Sequence, residues 1–376
     1  MPFLKSFSFI QKAFTLISFA GILLYGAASL TPYINPQHAW PFTLLALGFP
    51  FIFLGYCLLV IASVFIYRKL FIYLFIFLFA GWKNLTVVFA FHPASKFNVA
   101  TRSNIRLLSW NVNDFVDSRK INDTAGSKPG KMFAFIKEMN ADVLCLQDFV
   151  NFTGKYYRHN TEYIRDSLGY PFVYFPYNGE NLLYDTKEQY GVAIFSRFPI
   201  VDSSKMAYCD NESEKFIYAD ILIKEKIVRF YSAHLKSMGI HTSDKTAEPG
   251  EKNFLKSDTA LFLHRSNLRT LKYFDKIHVD QAKCIKRSLD TTKGPFVFCA
   301  DLNSVPSSYT YHTLCKGLND AFIQNGFGMG KTYDSISPTL RIDVVLFSKH
   351  LQAIQHQTPH LHLSDHYPNV TDIAIK

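Results

Sequence analysis

The first 113 residues contain no aspartate or glutamate, and two long apolar runs without any charge lie within them. Residues 13–30 (AFTLISFAGILLYGAASL) and 43–67 (TLLALGFPFIFLGYCLLVIASVFIY) each come close to the roughly 20 apolar residues that take a helix across a bilayer. A cleaved signal peptide fits the first run poorly, because a second run follows and no A-x-A site closes it. The segment between them, TPYINPQHAWPF, holds three prolines and Trp40, the composition of an interfacial turn.

Residues 70–91 form a third apolar stretch, interrupted by Lys83 and Asn84. Its Leu, Ile, Phe and Val residues supply roughly −4 to −8 kcal/mol of insertion free energy, against a cost of about 2.5–3.5 kcal/mol for a central lysine. A third span is expected, with a re-entrant or interfacial segment as the alternative. Lys5 and Lys12 precede the first span, Arg68 and Lys69 follow the second, and residues 31–42 carry no Lys or Arg. Positive charge stays on the cytoplasmic side. The N-terminus is therefore expected in the cytoplasm and everything after about residue 92 on the far side of the membrane, which is the periplasm in a Gram-negative cell.

The formal net charge of +10 suggests nucleic-acid binding until it is placed along the chain. Eight basic residues precede Asp114, leaving 32 basic against 30 acidic residues beyond them. The excess belongs to the apolar part, where it orients spans. Lys283, Lys286 and Arg287 are the local cluster that a nucleic-acid groove would use. The six cysteines show neither a CxxC pair nor zinc-like spacing, and buried free thiols are the expected state for them. They do not reveal a compartment.

Residues 92–103 read as a short linker. From residue 104 the pattern becomes that of an α/β domain. Strand-like runs fall at 105–112, 142–148, 171–176, 190–196, 216–223, 227–234, 295–301, 341–347 and 369–375, and helical patterns at 129–140, 156–168 and 266–290. Strand alternates with helix early and hairpins appear mid-chain, so a mixed sheet covered by helices is expected. Residues 236–260 are polar and aperiodic, the texture of a long flap-like loop.

Polar residues recur at the ends of these runs. Asn111 ends IRLLSWN, Asp148 ends ADVLCLQD, His234 ends RFYSAH, and Asp301 and Asn303 end FVFCADLN. Asp343 lies in RIDVVLF, and Asp365 and His366 lie in LSDHYP before the last run. Any one of them reads most simply as a turn former or a structural histidine. Together they have the form of a site, because strand ends aim side chains from adjoining loops into one crevice.

The ordered segments SWNVN (109–113), LQD (146–148), GVAIFSRFPI (191–200), SAHL (232–235), ADLNSVP (300–306), RIDVV (341–345) and SDHYP (364–368) resemble the endonuclease/exonuclease/phosphatase family over about residues 104–376. The resemblance implies a catalytic domain over 104–376, and the apolar runs before it give a membrane region over 1–92 and a linker over 93–103. The catalytic fold it implies is a four-layer α/β sandwich, two mixed sheets flanked by helices. It also implies a Mg²⁺-dependent phosphoester hydrolase acting on a lipid head group, a nucleotide or a nucleic acid. By the same resemblance Asp148 is the principal metal ligand, with Asn111 beside it and Asp365 close by. Asp301 positions or deprotonates the attacking water, and Asn303 orients water or phosphate. His234 contacts the scissile phosphate. Asp343 holds His366, which serves as base or transition-state stabiliser.

Two positions depart from the family pattern. Asp148 stands where Glu is usual, which sets the carboxylate back by one methylene and opens the site to a more tolerant ion such as Mn²⁺. Ser232 stands two residues before His234, where Asn is common. Asn113 and Arg341 are secondary candidates. An Asp at the place of Asn113 serves some family nucleases as a further metal contact, and Arg341 is either a phosphate ligand or half of a structural ion pair. Arg197 reads as structural. The remaining alternatives are a nuclease proper and a non-catalytic protein that keeps the fold. Specificity is expected in the loops 113–130, 177–189 and 236–265.

Overall fold

A computed structural model of the 376-residue chain describes residues 9–92, 97–100, 105–115, 126–155, 157–183, 186–209, 215–237, 265–334, 337 and 339–376. The linker expected at 93–103, the loop expected at 113–130 and the flap expected at 236–260 fall largely outside these residues.

Helices α1 (Phe9–Ser29) and α2 (Pro41–Ile66) take up the first two apolar runs. The third run is helical from Arg68 to Val88: α3 (Arg68–Phe77), a 3₁₀ turn (Leu78–Gly81) and α4 (Trp82–Val88). All three are long and apolar enough to cross a membrane. The 3₁₀ turn has a local cause. Tyr25 Oη donates to the Leu78 carbonyl at 2.7 Å, and a Cβ on Gly81 would meet that hydroxyl at 2.2 Å. Only glycine lets the helices approach so closely.

The polar residues of the third run are placed differently from one another. Lys83 Nζ reaches back over the Tyr33 ring, 4.1 Å from its centroid. Asn84 is fully buried. Its amide donates to Ala28 O and Thr31 Oγ1, each at 3.0 Å, and its carbonyl accepts from His312 Nε2 at 3.2 Å. A buried amide with every partner supplied fixes the register of two helices against the rest of the chain.

Two sheets follow. The seven-stranded one has the order β14 (Leu351–Gln357), β15 (Asn369–Ile375), β2 (Ile105–Asn111), β3 (Val143–Phe152), β6 (Thr186–Ser196), β4 (Phe172–Tyr174), with β5 (Gly179–Leu183) also paired to β6. The six-stranded one runs β11 (Asn319–Asp320), β13 (Asp343–Phe347), β10 (Phe296–Asp301), β9 (Lys226–His234), β8 (Lys215–Ile223), β7 (Ile200–Ala207). A small pair joins β1 (Ala90–Phe91) to β12 (Phe327–Gly328). β2 pairs parallel with β3, and β9 with β10, while the other neighbours are antiparallel, so both sheets are mixed.

The central strands are buried on both faces, which is why they read as continuous apolar runs. Leu107, Val143, Ile194, Phe230, Val297 and Val345 meet between the sheets. The alternate residues of the larger sheet, among them Trp110, Leu144 and Phe195, pack on α5 (Lys128–Met139). Those of the smaller sheet, among them Tyr231, Phe298 and Leu346, pack on the long helix Arg265–Thr291 and the short helix Tyr309–Cys315. Each such side chain contributes about 1.5–3 kcal/mol by leaving water. Helix, sheet, sheet and helix make the four layers. α5 starts where Ser127 Oγ accepts from Gly130 N at 3.2 Å with Pro129 in the first turn, and ends at Asn140 in left-handed backbone.

Two expectations need correction. Cys209 and Cys284 form a disulfide, tying the end of β7 to the long helix. Their spacing of 75 residues carries no local signal; Cys57, Cys145, Cys299 and Cys315 are free. Residues 179–183 and 186–189, expected in a loop, pair as an antiparallel hairpin that runs on into the expected strand at 190. β7, β14 and the short helix Tyr309–Cys315 add to the elements expected from the sequence.

The apolar helices dock directly on the sandwich. Thr31 Oγ1 donates to Ser307 O and Ser307 Oγ to Ala46 O, both at 2.7 Å. Thr43 Oγ1 bonds Asp275 on the long helix. Ala46 joins Leu271, Val305, Leu340 and Ile342 in one buried cluster.

Candidate active site at the seam of the two sheets

Each site residue is aimed by a specific backbone feature. Asn111 ends β2, and its Oδ1 accepts the backbone N–H of Asn113 at 3.0 Å. Asp148 sits on a bulge, where Gln147 and Asp148 face one residue of β6 between the pairs Leu146–Ala193 and Phe149–Gly191. Its φ of 44° is left-handed backbone, which Asp tolerates better than most residues. The bulge turns the carboxylate out of the strand. Asn303 follows β10 with φ 46°, and its N–H donates to Asp301 Oδ1 at 2.9 Å.

These side chains meet. Asn111 Nδ2 donates to Asp148 Oδ2 at 3.1 Å and to Asp301 Oδ2 at 2.9 Å. His234 Nδ1 lies 3.0 Å from Asp148 Oδ1, and its Nε2 lies 3.5 Å from Asp301 Oδ2. Asn303 Nδ2 stands 3.2 Å from His234 Nε2 and donates to Leu235 O at 3.0 Å. His366 Nδ1 is 2.9 Å from Asp343 Oδ2, and its Nε2 is 3.6 Å from Asp301 Oδ2. Asn111 and Asp148 come from one sheet; His234, Asp301 and Asp343 come from the other.

The electrostatics follow from this packing. Burial works against the charge on His366, but Asp343 and Asp301 outweigh it and raise its pKa to about 10. Partial burial opposes ionisation of Asp148, yet His234 and the Asn111 amide lower it to about 2. The Asp148 side chain is 41% exposed while Asp301 is 1% exposed, so the open side of the site is at Asp148.

The secondary candidates separate. Asn113 Nδ2 donates to Asp365 Oδ1 at 3.0 Å, and Ser364 Oγ also bonds that oxygen at 3.2 Å. Asp365 thus sits beside the site, bound to Asn113. Arg341 points away from it: buried, Nη1 donates to Asp320 Oδ2 and Nη2 to Val87 O, both at 2.7 Å. Of its two readings, the structural ion pair is the correct one. Its Val87 bond also anchors the third apolar helix. Arg197 bonds Asn140 and stacks over Tyr170. Of the basic cluster, Lys283 bonds Gln37 and Lys286 bonds Asp290.

A supporting layer escaped the sequence reading. Thr332 Oγ1 accepts from Ile342 N at 2.9 Å and Asp343 N at 3.0 Å. Gln147 Nε2 donates to Ser232 Oγ at 3.1 Å, a bond across the sheets at the unusual serine. His278 lies between the Lys236 carbonyl at 2.7 Å and Ser304 Oγ at 3.2 Å; burial lowers its pKa to about 4, leaving it neutral. The signal was faint: three polar residues, Asp275, His278 and Gln281, on one face of a helix that is otherwise buried there.

The ligand atoms of Asp301, Asp343 and His366 lie within 4.8 Å of one another, a spacing able to hold a metal ion. Asp148 and Asp301, bridged by the Asn111 amide nitrogen, offer carboxylate oxygens, the donors a hard divalent cation prefers.

The profile of the endonuclease/exonuclease/phosphatase family matches residues 108–366, more than half of the chain. The chain belongs to the endonuclease/exonuclease/phosphatase family. Residues 11–88 match a second family, described as a domain of unknown function (DUF8431). Among solved structures, the family member from Beutenbergia cavernae is similar, with 18% identity, 73% of this chain and 72% of that chain covered, and a TM-score of 0.50. The family protein from Leptotrichia buccalis has 15% identity over 72% of this chain and 100% of its own, with a TM-score of 0.49. Comparison with curated proteins finds no match. The α/β sandwich of this chain is preceded by three apolar helices.

Proposed function

We propose that this family member is a membrane-anchored, divalent-metal-dependent phosphoester hydrolase. The observation that carries the reading is the meeting of Asn111, Asp148, His234, Asp301, Asn303, Asp343 and His366 across two sheets. Asn111 and Asp148 would hold Mg²⁺ or Mn²⁺, with Asp365 close by. Such an ion neutralises charge on the phosphate and activates water.

The protein groups supply the rest. Asp301, oriented by bonds from Asn111 and Asn303, takes the proton of the attacking water. Asn303 and His234 bind the phosphate oxygens. Asp343 fixes the His366 proton on Nδ1 and holds the ring cationic at neutral pH, so His366 stabilises the charge that builds on the phosphoryl oxygens. A non-catalytic scaffold would not need carboxylates packed this closely, since unpaired buried charge is costly.

We place the N-terminus in the cytoplasm and the catalytic domain outside it. Basic residues beside the first two helices support this orientation, and so does the Cys209–Cys284 disulfide, because such bonds persist in oxidising compartments. We divide the chain into a membrane region (1–92), a linker (93–103) and a catalytic domain (104–376). The nearly balanced charge beyond Asp114 favours a lipid head group or nucleotide over nucleic acid.

The test uses the full chain in detergent micelles with bis(4-nitrophenyl) phosphate and 4-nitrophenyl phosphate. Hydrolysis should need Mg²⁺ or Mn²⁺, stop with EDTA, and fall by roughly 10³-fold in Asp301→Ala. Metal-independent turnover, or full activity in that variant, would overturn the reading.

A further inference from the structure

The hydrolase reading leaves the substrate open, and the position of the site narrows it. α2 begins at Pro41, and Ala46 lies in its second turn, at the end of the apolar run. Ala46 packs in one cluster with Val305, Leu340 and Ile342, and Tyr333 packs against that cluster. The ring centroid of Tyr333 is 4.9 Å from that of His366. Tyr333 and this cluster therefore link the catalytic imidazole to α2. The loop after Asp301 is held to the same helix, through the Ser307 bond to Ala46 O.

Several features mark where the bilayer surface lies. Trp40 precedes α2 directly, and Tyr33 in the same connection is exposed and covered by Lys83. Beyond the third helix, Phe91 and Phe327 pair across β1 and β12 and are 77% and 67% exposed. Aromatic rings and a lysine reaching out of a span gather at the head-group level. Phe327 is only six residues before Tyr333, so the segment carrying the ring that lies against the catalytic histidine starts at this aromatic patch. A narrow cleft lined by Leu47, Pro50, Val88, Pro306 and Met329 runs along the same seam.

Resting on the hydrolase reading, we infer that the substrate is the phosphoester of a bilayer lipid, presented to Asp148, Asp301 and His366 from the membrane in which the enzyme itself is anchored. The Phe91–Phe327 patch seats the catalytic domain on the head-group layer. Water attacks phosphorus, the ester oxygen leaves with a proton, and the apolar part stays in the membrane.

The test reconstitutes the full chain into dioleoylphosphatidylcholine vesicles with Mg²⁺ or Mn²⁺. Two pairs of esters share chemistry but differ in anchoring: hexadecyl against ethyl 4-nitrophenyl phosphate, and dioleoyl phosphatidic acid against glycerol 3-phosphate. The anchored member of at least one pair should show a kcat/KM higher by about 10-fold or more. In the double variant Phe91→Ser with Phe327→Ser, both exposed positions, the anchored ester should lose roughly 3-fold or more while the soluble one is unchanged. Soluble esters turned over as well as anchored ones, or equal effects of the double variant on both, would overturn the lipid inference and leave the hydrolase reading standing. No hydrolysis of any of the four would overturn both.

Discussion

The Asn111 amide nitrogen donates to Asp301 Oδ2 across 2.9 Å, and this bond crosses from one sheet to the other. The same nitrogen donates to Asp148. One neutral amide thus sits between two carboxylates that would otherwise repel, at the place where a cation would do the same work more strongly. The site is therefore a property of how the sheets face each other, and not of either sheet alone.

Asp148→Asn removes the charge that the bulge directs into the site. Divalent-cation affinity should weaken by roughly 10–100-fold, a range typical of disturbed metal sites. Titration calorimetry of the full chain with Mn²⁺ measures this directly; unchanged affinity would place the cation with Asp301, Asp343 and His366 instead.

Asp343→Asn keeps shape but loses the charge behind His366 Nδ1. kcat should drop roughly 10²–10⁴-fold. The His366 pKa, raised to about 10 by Asp343 and Asp301, should fall, so the alkaline limb of the pH–rate profile moves to lower pH. A drop in kcat without that movement would mean a purely structural role.

Arg341→Ala leaves Asp320 buried without its cation and also breaks the bond to Val87 O. The cost should be about 3–5 kcal/mol of stability. KM for bis(4-nitrophenyl) phosphate should not change in whatever fraction folds, whereas loss of a phosphate ligand would raise it. Thermal unfolding in detergent and steady-state kinetics together decide it.

Cys209→Ser opens the only crosslink among the described residues. A loss of about 2–4 kcal/mol is expected. Protein taken from cells under thiol-blocking conditions should carry the bond; finding both thiols reduced would argue for a cytosolic catalytic domain.

Asp275 is buried beside Thr43, and burial raises its pKa to about 6 although the Thr43 hydroxyl opposes the shift. A raised carboxyl stabilises the fold while protonated, and that contribution disappears as pH climbs from about 4 to about 6. Asp275→Asn should therefore be more stable than the parent above pH 6, by at most about 3 kcal/mol, with the difference vanishing near pH 4. Melting curves at pH 4, 6 and 8 test the sign.

Much of this was legible in the chain itself. Composition alone marks the three apolar helices, because length and polarity are read directly from the residues. Strands such as β2 and β10 show as unbroken apolar runs because helices and the opposite sheet cover both faces. Asn111, Asp301 and Asn303 stand out because polar residues at the ends of such runs point into the crevice. Tertiary structure alone decided the Cys209–Cys284 bond, the Arg341–Asp320 pair, the burial of Asn84 against His312, and the bulge that aims Asp148. Each depends on which residue arrives opposite another after the chain has packed. A local pattern reports periodicity and polarity, but it carries no record of partners 21, 75 or 228 positions away.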